Sequence, residues 1–367
     1  MRGSRIWRVG LVLAAAALLA GGCFHSDDDG EAGDGAGTGE AEAQGGQGGS
    51  LLAQVQDRGT LNCGVNDAVP GFGFQDEAGE FQGFDIDFCR VVAAAVLGDA
   101  EAVEYRPLTA EQRFTALQAR EVDVLIRNTT WTSSRDGLEG ARFLYTTFYD
   151  GQGMMVRADS GYESLEDMAG ETICVLSGTT TELNLESRFQ ALGVDYEPLA
   201  FEDNEPLQEA FTQERCGAWT SDKSQLAGVR SNFPEAEGGP ESLVILDETM
   251  SKEPLGPVVR DGDDDWADAV NWAVIATVQA EEFEITSQNI DEMLESEDPE
   301  IRRFLGVDEF DSGLGLPADF AAQVIQQVGN YGEIYERNVG PDSPLELPRD
   351  FNALWTEGGL HQAPPYR

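Results

Sequence analysis

The stretch DVLIRNTTWTSSRD, residues 123–136, begins as a buried strand and ends in an amide, hydroxyls, a tryptophan and an arginine. Val124, Leu125 and Ile126 suit a sheet interior, so the polar set is delivered where the strand stops. Upstream the chain alternates: strand LNCGV (61–65), helix DIDFCRVVAAAVLG (85–98), strand VEYRPL (103–108), helix EQRFTALQAR (111–120), strand VDVLIR (122–127). This β-α-β-α-β order predicts a parallel sheet, and in such sheets ligands sit beyond the carboxyl ends of the strands. Thr109 and Gln112 have capping-box spacing, and Gly98 stands where the first helix wants a left-handed C′ residue.

The same order returns downstream: strand TICVLSG (172–178), helix TTTELNLESRFQAL (179–192), strand YEPLAF (196–201), helix PLQEAFTQERCG (206–217), strand AWTSD (218–222). Two similar α/β lobes are implied, each a parallel-type sheet with flanking helices. The chain then passes through LVILDETMSKEPLGPVVR (243–260) to a segment in which Trp266, Val270, Ala273, Val274 and Thr277 fall near helical spacing and would pack back on the first lobe. A lobe built from two separated segments requires two crossings, and two strands crossing together make a hinge. The expected division is lobe one at 51–152 plus 248–290, lobe two at 153–247, and a helical extension at 291–367 packed on lobe one. That extension contains the helical stretch PADFAAQVIQQVGNYGEIYERN (317–338).

Asp and Glu number 68 against 23 Lys and Arg, a formal net charge of -45, which argues against a nucleic-acid partner. The lysines are Lys223 and Lys252, and the acids are spread along the whole chain, the pattern of a halophile's solvated surface. At 1 M salt the Debye length is roughly 3 Å, so such self-repulsion is tolerable.

Residues 1–22 read as a signal peptide: Arg2, Arg5 and Arg8, an apolar core from Val9 to Leu19, then LAGGC ending at Cys23. LAGGC resembles a lipobox with alanine where leucine is usual, so lipidation at Cys23 is expected, with ordinary cleavage as the alternative. The acidic, Gly-rich segment 24–50 would then be a flexible tether reaching roughly 25 to 30 Å from a membrane. Setting Cys23 aside leaves Cys63, Cys89, Cys174 and Cys216, an even set for an oxidising compartment. Cys63–Cys89 and Cys174–Cys216 is the simplest connectivity, each pair within one lobe; four buried thiols is the other reading.

The histidines are His25 and His361, so a histidine triad or zinc site is not expected. The phosphate-cradling lysine motif and the G-x-S-x-G elbow are absent, and DGDDDW (261–266) imitates a calcium loop only at its start, with Trp266 and Trp272 where the glycine and glutamate belong. No metal and no cofactor are expected.

What remains is a capture site. Arg135 can give two parallel N–H donors to a carboxylate, with Thr130 and neighbouring backbone groups beside it. Thr179 begins a helix whose free N–H groups also favour an anion. Asp222, at the matching strand end, can neutralise an ammonium. Donors for a carboxylate on both lobes and one acid opposite describe an α-amino acid. Plainer readings stand beside each: a surface ion pair for Arg135 and Asp136, an N-cap for Thr179, a cap of helix KSQLAGVRS for Asp222.

At these residues the sequence resembles the general L-amino-acid-binding proteins of polar amino acid ABC uptake systems, within the type II periplasmic binding fold. GFDIDFCR (83–90), RFTALQAREVDVLIRNTTWTSSRD (113–136), YDGQGMMVR (149–157), CVLSGTTTELNL (174–185), SKEPLGPVVR (251–260) and QVGNYGEIYERNVG (327–340) carry the resemblance. It implies that Arg135, Thr130 and Thr180 hold the substrate carboxylate with help from Asn128, that Asp222 holds the amine, and that the lobes close on the ligand. Asp67, Phe72, Trp131 and Arg113 are candidates for the side-chain pocket, Arg113 either meeting the ligand or bracing its helix. The resemblance further implies a monomeric binding protein, not an enzyme, that serves a membrane permease. The alternatives are an enzyme on the same fold, such as a small-acid dehydratase, and an amino-acid chemoreceptor module.

Overall fold

The computed structural model describes residues 50–367. The expected signal peptide, Cys23 and the tether up to residue 49 lie outside the described residues. In chain order the first elements are α1 (Leu51–Arg58), β1 (Leu61–Val65), a small antiparallel meander of β2 (Ala68–Val69), β3 (Gly73–Gln75) and β4 (Phe81–Gln82), α2 (Phe84–Leu97), β5 (Val103–Pro107), α3 (Arg113–Gln118), β6 (Val124–Leu125), α4 (Ser133–Leu138) and β7 (Ala141–Phe143). Strand β8 (Phe148–Asp150) leads to β9 (Gln152–Arg157), β10 (Thr172–Leu176), α5 (Thr180–Leu192), β11 (Glu197–Phe201), α6 (Asn204–Thr212), β12 (Ala218–Asp222), α7 (Lys223–Ser231) and β13 (Leu243–Ile245). The return consists of β14 (Glu253–Leu255), β15 (Val258–Arg260) and α8 (Asp264–Glu282), followed by α9 (Ile290–Met293), α10 (Pro299–Phe304), α11 (Phe320–Gln327) and α12 (Tyr331–Asn338).

These strands form two five-stranded sheets of one plan, β5-β1-β6-β15-β7 and β11-β10-β12-β9-β13. The first three strands of each are parallel, and the fourth is antiparallel to its neighbours. The sheets are therefore mixed and not wholly parallel. The cause is the hinge: β9 and β15 each enter their sheet directly from the pair β8·β14, and so run against the strands built by the β-α-β crossovers. That pair is a two-stranded antiparallel ribbon with Asp150 opposite Glu253 and Phe148 opposite Leu255.

Local signals explain the helix ends. α2 stops at Gly98, whose φ of 72° is the left-handed cap a glycine accepts without cost. α3 starts at Arg113, later than EQRFTALQAR suggests, because Thr109 Oγ1 accepts from Gln112 N and holds a turn ahead of the helix. The stretch 317–338 is two helices. Gly329 (φ 100°) breaks it, and Asn330 with Glu333 forms a capping box that restarts it.

The main core joins α2 and α8 to α11 and α12, so the C-terminal extension completes the apolar packing of lobe one. Val270, Ala273, Val274 and Thr277 are buried along α8, and Trp266 donates from Nε1 to Asp123 O. The extension also reaches the hinge: Tyr331 Oη donates to Thr147 O, and Arg349 lies over the rings of Tyr331 and Tyr335 while pairing with Glu281. Disulfides join Cys63 to Cys89, tying β1 to α2, and Cys174 to Cys216, tying β10 to the segment before β12. Among the described residues no helix is long and apolar enough to cross a membrane.

The disulfides close segments of 26 and 42 residues, so removing either by paired Cys→Ser substitution is expected to cost about 3 to 4 kcal/mol of stability, read from denaturant midpoints in the absence of reductant.

Candidate functional site

The polar stretch that follows β6 lies against the hinge. Thr130 bridges to Leu255 and Trp131 N donates to Pro254 O. Asn128 adopts a left-handed φ of 36°, a conformation asparagine tolerates better than most residues. Its N–H reaches Asp85 Oδ2 at 2.7 Å and its side chain turns into the cleft, donating to Asp222 Oδ2 (3.3 Å) and Gln225 Oε1 (3.4 Å) on lobe two.

Arg135 sits on α4, whose N-cap Thr132 accepts from Arg135 N. Its guanidinium donates to Thr130 O at 3.0 Å and, across the cleft, to Gly178 O at 3.5 Å. Arg113 reaches the same Gly178 carbonyl at 3.4 Å. The Phe114 ring lies near both, its centroid 5.2 Å from Arg113 Cζ and 5.7 Å from Arg135 Cζ. Gly178 is at φ 70°, and a Cβ there would stand 2.8 Å from Glu111 Cγ, so the turn requires glycine.

Asp222 occupies the N-cap position of α7, yet its side chain makes no capping bond. Asp150, from the hinge strand, does that work: it accepts from Ser224 N and Ser224 Oγ. Asp222 is thereby left facing the cleft, with Oδ1 buried and, among the described residues, without a hydrogen-bond partner. The plainer reading of Asp222 as a helix cap is overturned. For Thr179 the cap is what the structure shows: its hydroxyl accepts from Glu182 N and donates to Leu176 O.

These side chains enclose an inner cavity with about 30 Å³ of free space, room for one water, lined by Arg113, Arg127, Asn128, Thr130, Arg135 and Asp222 with Thr179 and Thr180. An outer chamber of about 430 Å³ adjoins it, sharing Ala110, Arg127, Leu176 and Asn204. Asp67 lines the outer chamber only. Phe72 and Trp131 do not reach the cleft, which corrects their expected place in the side-chain pocket. Phe72 packs in an aromatic cluster with Phe84 and Phe148, where its ring finds apolar partners. Trp131, 44% exposed, follows the inward Thr130 along an extended segment and so points the other way, stacking on Phe143.

Charge in the site is shaped by burial. Asp222 is pushed well above the usual carboxylate range by desolvation, then by the neighbouring Asp150 and Glu253. Burial lowers Arg113 far below its ordinary value, helped by the repulsion of Arg135 and Arg127, and holds Arg127 down to about 10. Arg127 donates to Asn66 Oδ1 and feels Asp85 as its strongest attraction. Among the described residues none of these three arginines forms an ion pair with a carboxylate, and none of the groupings of His, Cys, Asp and Glu is suited to a metal.

Arg127, Asn66, Gln225, Asp150 and Glu253 belong to this neighbourhood and escape the sequence reading. Arg127 had a signal, a lone charge ending an apolar strand. Asp150 and Glu253 had none, because only the hinge register brings them opposite each other.

Two sheets of one plan, joined by a two-stranded ribbon and enclosing a polar, arginine-rich cavity, define a two-lobed type II solute-binding protein. Residues 61–289 match the bacterial extracellular solute-binding proteins, family 3, and the chain belongs to that family. It is 48% identical over 321 residues to the general L-amino acid-binding periplasmic protein AapJ of Rhizobium johnstonii, covering 87% of this chain and 93% of that protein. It is 48% identical to the glutamate/glutamine/aspartate/asparagine-binding protein BztA of Rhodobacter capsulatus, covering 87% and 94%. A periplasmic binding protein of an ABC transporter from Brucella ovis, solved with glutathione bound, superposes with a TM-score of 0.83 at 47% identity, covering 87% of this chain and 99% of that one.

Asp85 gives a stability prediction. Burial raises its folded pKa to about 6 from 3.8, outweighing the Asn128 N–H and Arg127. The folded state therefore binds the extra proton between about pH 4 and 6, and stability falls as pH rises through that window. The ligand-free protein at fixed salt is expected to melt higher at pH 5 than at pH 7, with on the order of 1 kcal/mol from this group, and Asp85→Asn is expected to remove that share, leaving the part owed to the likewise raised Asp150 and Asp222.

Proposed function

We propose that the protein captures free L-amino acids outside the cytoplasm, closes on them and delivers them to an ABC permease, while a separate ATPase drives transport. The observation that carries this reading is Arg135 and Asp222 lining one small cavity from opposite lobes. Arg135 supplies paired donors for an α-carboxylate, with Thr130 and Asn128 alongside, and the unpartnered Asp222 Oδ1 supplies the acceptor for an α-ammonium. A zwitterion satisfies both buried charges at once. The names of the relatives AapJ and BztA point the same way.

The side-chain class follows from charge balance within the cavity. Arg127 has Asp85 and Asn66 behind it, whereas Arg113, 3% exposed, has Nε without a partner and only the Gly178 carbonyl within reach. A buried guanidinium in that position favours a ligand that brings an acceptor, so polar and acidic side chains are preferred. Relatives named for glutamate and its amide support that preference.

The outer chamber favours a second, longer ligand. A γ-glutamyl peptide presents an amino-acid zwitterion to the inner cavity and a polar tail to the 430 Å³ space beyond Arg127, and the relative from Brucella ovis was solved with glutathione. Lipid anchoring at Cys23 through the 24–50 tether, a monomeric state and a halophilic setting complete the proposal. The dehydratase alternative would need a cleft acid not paired with an ammonium; a turnover assay with small hydroxy and keto acids separates it from simple binding.

Arg135→Ala is expected to cost about 2 to 5 kcal/mol of binding and raise Kd by some 30-fold or more; calorimetry showing wild-type affinity in this variant sinks the carboxylate assignment. Arg113→Met is expected to weaken L-glutamate by roughly tenfold or more while changing L-alanine little, since only the donor to the ligand's side-chain carboxylate is lost. Equal losses for both amino acids would place Arg113 in a bracing role.

A further inference from the structure

Glu253, on hinge strand β14, is 1% exposed, and its carboxylate is bound as a substrate carboxylate would be. Oε2 accepts from Thr180 Oγ1 at 2.8 Å, and Oε1 accepts from Asn184 Nδ2 at 2.9 Å and from Ser251 Oγ. Thr180 and Asn184 are one turn apart on α5, so the first turn of that helix is fastened to the hinge by a buried anion.

A hydroxyl carries one proton. Thr180 gives its proton to Glu253, so what it turns toward Thr130 Oγ1, 3.3 Å away across the cleft, is a lone pair. In this arrangement Thr180 is an acceptor on the cleft side and has no O–H for a ligand carboxylate. Glu253 also leads the anions that stabilise the charged Arg135, ahead of Asp222 and Glu139. The side chain on lobe two expected to hold the substrate carboxylate thus already donates to an internal one, whose charge also acts on Arg135.

We propose that Glu253 is a resident carboxylate that competes with the substrate's α-carboxylate for the Thr180 hydroxyl, and that it limits ligand affinity from the hinge. It is a positioning residue: it acts through Thr180 and Arg135 and touches no ligand. The proposal rests on the zwitterion reading of the inner cavity. A carboxylate held this way favours ready release, because a ligand leaving the closed lobes gives Thr180 back to a partner that never departs.

The test is a double-mutant cycle in full-length protein, with L-glutamate as the probe and Kd measured by calorimetry beside a thermal melt for each variant. Glu253→Gln keeps the volume and removes the charge, and is expected to tighten binding by roughly three- to tenfold. Thr180→Val is expected to abolish the gain in the Glu253→Gln background, so that its cost there exceeds its cost in the wild type by the same roughly three- to tenfold. A Glu253→Gln variant that binds more weakly, or as the wild type does, overturns the proposal. So does a Thr180→Val cost that is equal in the two backgrounds; Glu253→Asp, which draws the charge back from Thr180 by one methylene and is expected to shift Kd in the same direction, decides in place of a Glu253→Gln that does not fold. A merely structural Glu253 lowers the melting temperature and leaves the cycle without coupling. Wild-type protein that is folded yet binds no amino acid defeats the zwitterion reading itself, and this proposal with it, a result distinct from a flat cycle in a protein that binds.

Discussion

The constraint on which the rest of the structure depends is the burial of charge at the junction of the lobes. Arg113, Arg127 and Arg135 come from lobe one, and Asp222 and Glu253 come from lobe two and the hinge, all buried without a direct ion pair among them, with the half-buried Asp150 beside Glu253. Isolated charges in such a place are costly, and the cost falls only when a group of opposite sign is brought close with good hydrogen bonds. A closed cleft that holds guanidiniums on one wall and carboxylates on the other is stabilised by whatever completes both halves. Closure and ligand recognition are then one electrostatic event.

Division of labour among the acids makes this possible. A helix start needs an acceptor, and the residue placed to supply it on α7 is Asp222 itself. Because Asp150 reaches over from β8 to serve Ser224, Asp222 keeps an oxygen free. Glu253, paired with Asp150 in the ribbon, does the same kind of service for α5. Two neighbouring positions of a two-stranded ribbon therefore fix the starts of two helices whose turns line the cavity. The C-terminal extension steadies the ribbon from the other side through Tyr331 and Thr147.

Much of this was legible in the sequence, and what was not has a physical reason. Strand and helix order, both disulfide pairings and the convergence of Arg135, Thr130, Asn128 and Asp222 could be read, because alternation, caps and strand ends are local signals. The antiparallel fourth strand of each sheet was not legible, since it depends on the direction of entry from the hinge. Phe72 and Trp131 were misplaced for a related reason: proximity along the chain to the binding loop says nothing about which face of the backbone a ring will choose. The split at Gly329 and Asn330 carried a readable capping signal, Asn330 with Glu333, that helical periodicity on both sides concealed.

The surrounding charge sharpens the same point. A body with a formal net charge of -45 presents a repulsive field to any acidic ligand at low ionic strength, and its cleft arginines are buried where that field is only partly offset. Raising salt shortens the reach of surface charge to a few ångströms but leaves buried, hydrogen-bonded contacts largely intact. Recognition in this protein therefore has to be short-ranged, made by guanidinium, hydroxyl and carboxylate groups in direct contact, with little help from long-range attraction. That is the arrangement the cleft displays: the basic groups are few, inside and directional, while the acidic excess is many and outside.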